Sequence, residues 1–297
     1  MSARWIDLVD PTRAEIDAVL PAGTDPDVLE DLLAPPSRHE PRPLLEDHGS
    51  YVFGVFVPFV SVDGVAEPLE VCVIATGDRL VTVRKSGPGG AAFDMATVEA
   101  ADETNRPVGE LVHRLVDDVV DSYLDLLDMI FGEIDALEER IDELRPAQVR
   151  ERHAELRREL LHRRRMVSAT RVSVRRIVDG RVEAGDPELF PLPIERMFAD
   201  TYDTLVRIGE EIDVARDLLS GVRDHLQSKI AENQNEVGKK LTVIASLVLV
   251  PSFVVGFFGQ NFAGEFERDY WTIAVSTSVI VVSTLAQLAL FRWRRWI

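Results

Sequence analysis

No set of side chains in this 297-residue sequence converges on covalent or hydrolytic chemistry. His113, His153, His162 and His225 are scattered along helix-like stretches, which predicts surface residues and no zinc cluster. Cys72 stands alone in the apolar run Val71-Cys72-Val73-Ile74. That excludes a disulfide framework or cysteine metal site and predicts a small buried residue. The stretch Ser86-Gly87-Pro88-Gly89-Gly90 lacks the lysine and following Ser/Thr of a phosphate-binding loop, so it predicts a turn and no nucleotide-driven pump. With no nucleophile–base set and no metal triad, an enzyme is the least supported class. What remains is charge: 51 acidic against 33 basic residues give a net charge of -18. Such a chain has no positive excess with which to release counterions from nucleic acid, which excludes that partner. An acidic soluble part either gathers cations or keeps the protein in solution.

The elements that must position any cation chemistry are unevenly spread. Up to about Lys240 the chain reads as soluble and charged; from Leu241 it is almost wholly apolar. Leu241 to Phe258 and Trp271 to Phe291 are each long enough to cross a bilayer as a helix. Lys239 and Lys240 precede the first run, and Arg292, Arg294 and Arg295 follow the second. The loop between carries Glu265, Glu267, Arg268 and Asp269. The positive-inside rule then places both ends in the cytoplasm and the loop outside. The N-terminus has no apolar signal core, so the bulk of the chain is expected to stay inside. Along the first run Ala245, Ser252, Gly256 and Gly259 fall near one face with Leu249 between them. A line of small residues suits either a narrow lumen or close helix packing. Two spans enclose no pore alone, so conduction would need several copies around an axis. Pro251 interrupts the hydrogen-bond ladder of this helix and is expected to bend or loosen it.

The soluble part divides further. Arg4 to Val9, Tyr51 to Val60, Leu69 to Thr76 and Leu80 to Arg84 read as strands, the last two joined across Thr76-Gly77-Asp78 as a hairpin. Thr12 with Glu15 three residues later predicts a helix start. From about Pro107 the chain turns helical, with Val108 to Leu144 acidic and Val149 to Val178 basic on their exposed positions. Opposite charge across a short turn predicts an antiparallel, charge-paired hairpin. A third helix begins near Ile194. Phe198, Leu205, Ile212, Leu219 and Leu226 repeat every seventh residue, and Ile208, Ala215 and Val222 complete the seam of a helix wrapping on partners. Unbroken from Ile194 to Phe258, that helix would be roughly 95 Å long.

At the outer end of the first span stands Gly256-Phe257-Phe258-Gly259-Gln260-Asn261-Phe262. This resembles the signature of the CorA family of divalent metal ion transport proteins, a Gly-Met-Asn tripeptide ending the first of two C-terminal transmembrane helices. The likeness extends over nearly the whole chain. Trp5-Ile6-Asp7-Leu8 with Asp10-Pro11-Thr12 looks like the family's opening strand and helix. Ile134-Asp135-Ala136-Leu137-Glu138 is similar to a long cytoplasmic helix, and Asp217-Leu218-Leu219-Ser220 with Asn235-Glu236-Val237 to its stalk. The resemblance implies a funnel: an α/β N-terminal cytoplasmic domain, a long α-helical stalk and two C-terminal transmembrane helices. On that pattern residues 1–106 form the α/β domain, 107–193 the helical hairpin, 194–240 the stalk and 241–261 the pore-lining helix. Residues 262–270 form the external loop, 271–291 the second span and 292–297 a basic tail.

The resemblance further implies a homopentamer in the inner (plasma) membrane, taking up Mg²⁺, and in some members Co²⁺ or Ni²⁺, passively under the membrane potential. Mg²⁺ is then substrate and regulatory ligand, with no other cofactor. Gly259, Gln260 and Asn261 would form the selectivity mouth, where a ring of Asn261 carboxamides holds the hydrated ion. Leu241, Ala245, Leu249, Ser252 and Gly256 would line the pore, Leu241 and Leu249 as apolar constrictions. Asp200 matches a regulatory acidic position of the stalk. Two residues depart from the pattern: Gln260 replaces the usual methionine, and Gly238 stands where a bulky pore residue is common. Gln260 keeps a ZntB-like zinc or mixed-divalent transporter open. A non-conducting coiled-coil scaffold or sensor is the rival from another class.

Overall fold

A computed structural model describes residues 4–35, 43–62, 65–87, 90–184, 188–259 and 270–296. The chain divides into two compact units, Met1–Val222 and Arg223–Ile297.

The first unit opens with β1 (Trp5–Val9), followed by α1 (Arg13–Val19) and α2 (Pro26–Leu33). At the start of α1 the Glu15 carboxylate accepts from the Thr12 N–H at 2.8 Å and its hydroxyl at 2.7 Å, as the spacing predicts. Then come β2 (Leu44–Asp47), β3 (Val52–Phe56), the small hairpin β4 (Phe59–Val62) and β5 (Val65–Pro68), β6 (Glu70–Ala75) and β7 (Leu80–Lys85). The strand expected over Tyr51 to Val60 is two, because Pro58 has no N–H to give a ladder. The main sheet has the order β1-β7-β6-β3-β2, with β1 parallel to β7 and the rest antiparallel.

Both faces of this sheet are covered, which is why its central strands are continuous runs of Val, Ile and Phe rather than alternating. On one face Phe53, Val55, Cys72, Ile74, Val81 and Val83 pack with Ile16, Val28 and Leu32 of α1 and α2. Cys72 is fully buried, and burial pushes its thiol pKa up, so it is a packing residue as expected. The opposite residues Val52, Phe56, Val71 and Val73 are equally buried. On that side lies α4 (Val108–Glu139), which meets β6 and β7; it is preceded by the short α3 (Ala96–Glu103).

A 3₁₀ turn at Arg140–Asp142 leads into α5 (Pro146–Val178), antiparallel to α4, with the hydroxyls of Tyr123 and Thr170 bonded at 2.9 Å. The charge pairing expected of this hairpin holds at one described point, Arg152 with Glu133. The apolar faces of the two helices take the interior, and a helix presents one face at a time. The charged faces therefore point outward.

One helix, α6, runs from Leu192 to Gly259, and α7 from Tyr270 to Trp293. Proline at 251 is accommodated inside α6. The heptad residues Phe198, Leu205, Ile208, Ile212, Ala215, Leu219 and Val222 are all buried within the single chain. The seam is therefore satisfied by this chain's own core. From Gln227 to Thr242 α6 has no buried residue.

Candidate functional site

The second unit contains the C-terminal part of α6 and α7. Both are long and apolar enough to cross a membrane, by length and composition. A core helix of a soluble protein would be mostly buried; here 6% of the apolar window of α6 is buried and none of that of α7.

Burial on α6 is one-sided. Val243 is 6% exposed and Val254 9%, with Leu247 and Val250 half-buried between them. These positions recur at four, seven and eleven residues, one helical face. On α7 the shielded positions are Ser276, Ile280, Ser283, Thr284, Gln287 and Phe291, again one face. These are the sides of the two helices that are shielded within the chain.

Leu241, Ala245, Leu249, Ser252 and Gly256, the residues expected to line a pore, are all exposed, Leu241 by 61% and Leu249 by 69%. At about 100° per residue their mean direction lies roughly opposite the face occupied by Val243 and Val254. The small-residue face is thus left free by intrachain packing. Its one polar side chain satisfies itself: the Ser252 hydroxyl donates to the Val248 carbonyl at 2.7 Å. A lumen on this side would be walled by Leu, Ala and Gly with no fixed charge. Gly256 and Gly259 have nothing within 4 Å of a built Cβ. Gly259 is the last residue of α6, while Gln260 and Asn261, with the loop to residue 269, lie outside the described residues.

Asp200 is exposed on α6. Its neighbour Thr201 is buried, and the Thr201 hydroxyl donates to Asp117 Oδ1 of α4 at 3.1 Å and lies 3.2 Å from His113 Nε2. With its proton given to Asp117, Thr201 accepts from His113 Nε2–H. The turn of α6 that carries Asp200 is thereby tied to α4. His113 corrects the expectation of a surface histidine: it is 6% exposed, edge-on to Phe198 at 5.0 Å. The signal was available, since His113 shares a helix face with Gly109, Val116 and Val120. Further along α4, Asp118 and Asp121 hold their protons more tightly than ordinary carboxyls, chiefly through partial loss of solvent and then through neighbouring aspartates. Among the described residues no three of His, Cys, Asp and Glu come together as a metal group, so Asp200 has no complete ligand set among them.

The model of the family described as CorA-like Mg²⁺ transporter protein matches residues 2–294. The cobalt/magnesium transport protein CorA of Thermotoga maritima is 29% identical over 284 residues, covering 93% of this chain and 77% of that one. In solved structures, the complete CorA magnesium transporter from Methanocaldococcus jannaschii superimposes with a TM-score of 0.80 at 17% identity, covering 99% of this chain and 91% of that chain. The full-length CmaX protein superimposes with 0.71 at 19%, covering 98% and 88%. These two likenesses are of fold.

Proposed function

This chain belongs to the CorA-like Mg²⁺ transporter family, a family of membrane transporters and not of enzymes, and from that premise we propose that it forms an oligomeric channel for passive Mg²⁺ uptake. Several copies, five by analogy with the family, place the free face of α6 around an axis in the inner (plasma) membrane. The termini are cytoplasmic and the Gln260–Asn261 mouth is external, in keeping with the flanking cations. The observation that carries this reading is the one-sidedness of α6. The face holding Leu241, Ala245, Leu249, Ser252 and Gly256 is turned away from the shielded face of the helix.

The chemistry follows from the ion. Mg²⁺ surrenders its inner waters reluctantly, so a conducting site must hold it hydrated. A ring of neutral Asn261 carboxamides accepts hydrogen bonds from those waters without the tight grip of carboxylates, which lets the ion leave. Below, Leu249 and Leu241 form apolar constrictions that close by dewetting. Asp200 is the cytoplasmic regulatory position. With no complete ligand set among the described residues of one chain, its remaining Mg²⁺ ligands come from a neighbouring copy.

The test is flux into proteoliposomes, comparing Mg²⁺ and Zn²⁺ at matched membrane potential and with an imposed pH gradient. Potential-driven Mg²⁺ entry that ignores the proton gradient, and is lost in Asn261→Ala with assembly intact, is the expected result. Zn²⁺ movement that follows the proton gradient would put Gln260 in charge of a zinc transporter instead. No flux of either ion from intact oligomers would leave a scaffold or sensor.

A further inference from the structure

Two stripes of opposite charge run along the helical hairpin with the same period. On α4, Asp121, Asp128 and Asp135 are seven residues apart, all exposed, and none has a described ion-pair or hydrogen-bond partner. On α5, Arg157, Arg164 and Arg171 are also seven apart, the first two exposed and Arg171 half-buried. Arg164 reaches Asp213 of α6 at 3.0 Å, while Arg157 and Arg171 have no described partner. Seven residues of helix rise about 10.5 Å, so the rungs of the two stripes have one spacing. Within a chain the stripes do not meet, because the apolar faces of α4 and α5 occupy the interior.

We propose that the acidic stripe of α4 in one copy docks on the basic stripe of α5 in the next, forming the cytoplasmic contact of the ring; this rests on the oligomeric reading above. A contact between two different patches of one chain is heterologous, and such contacts form a ring when the rotation closes. The register follows from the hairpin itself. Rotation about an axis running along the hairpin keeps each residue at its own height, and within the chain Tyr123 is level with Thr170. Asp121 then stands within one residue's rise of Arg171, Asp128 of Arg164 and Asp135 of Arg157. Asp121 is also burdened by the charges of Asp117 and Asp125, a repulsion that an incoming guanidinium relieves. A cation bound along the stripe is the less apt occupant, since no metal-like group is gathered there among the described residues.

The experiment uses full-length protein from cells making two differently tagged chains, one with Asp135→Cys and the other with Arg157→Cys, or Asp121→Cys with Arg171→Cys. Native Cys72 is buried and stays silent. Mild oxidation should join the two tags in both pairings and not in the mismatched pairing Asp121→Cys with Arg157→Cys. Native mass spectrometry of the same samples reports the oligomer independently. Reversing the three aspartates to lysine, or Arg157 and Arg171 to glutamate, should raise subunit dissociation roughly tenfold or more at low salt, and reversing both sets in one chain should restore it. An intact oligomer without cross-links overturns the docking and leaves the channel reading standing, whereas a monomer overturns both. An effect of the arginine reversals alone would assign the basic stripe to acidic lipid and overturn the pairing.

Discussion

Two glycines of α4 should respond to alanine with opposite signs. A Cβ built on Gly109 lies 2.1 Å from the Leu189 carbonyl oxygen and 2.9 Å from Ile194 Cδ1. The first approach is roughly 1 Å inside van der Waals contact and involves backbone, which cannot swing aside as a side chain can. Overpacking of this kind costs about 1–3 kcal/mol. At Gly132, in the same helix, a Cβ meets nothing within 4 Å, and Gly→Ala in a helix interior gains about 0.5–1 kcal/mol. For a unit of this size each kcal/mol moves the unfolding midpoint by roughly 2–4 °C. Gly109→Ala is therefore expected to lower the midpoint by roughly 2–12 °C, and Gly132→Ala to raise it by roughly 1–4 °C. Far-UV circular dichroism on heating the detergent-solubilised protein reads both. Because Leu189 precedes α6 and Ile194 lies in its first turn, Gly109→Ala should also alter ion uptake. Shifts of the same sign in the two variants would refute the claim that close approach, and not helix propensity, selects glycine at 109.

Thr201→Val keeps the shape but leaves His113 and Asp117 without the bridging hydroxyl; it should cost about 1–3 kcal/mol, read by the same thermal assay. Asp118→Asn should raise the unfolding midpoint at neutral pH, where the folded protein bears a charge it disfavours. That gain should fade as pH falls through the raised pKa towards 3.8, because the wild-type carboxyl then protonates too. Equal gains at neutral and acid pH would rule out charge as the cause. Leu249→Asn, which wets the proposed constriction, should raise the resting Mg²⁺ leak in proteoliposomes severalfold, and an unchanged leak would remove Leu249 from the gate.

The membrane runs and the long helix from near residue 192 were legible from hydropathy and period, because a span needs an uninterrupted apolar length and a core-facing helix needs its seven-residue repeat. The hairpin across Thr76-Gly77-Asp78 was legible from its turn residues. The edge strand β2, the hairpin β4–β5 and the helices α2 and α3 were not read out. Each is four to eight residues long, and such segments take their state from what they pack on more than from their own propensity.

Family membership was legible in linear order, since a signature at the end of an apolar run is a local pattern, and the same order proposes the candidate pore residues. Residue order also supplied the two charge stripes. What it left open was which face of each helix turns inward. That was decided in three dimensions: the heptad seam closed on the chain's own core, His113 went inside with Thr201, and the small-residue face of α6 was left free opposite its shielded side. A helix carries several chemically plausible faces at once, and the competition for buried apolar area selects among them only when all the neighbours are in place.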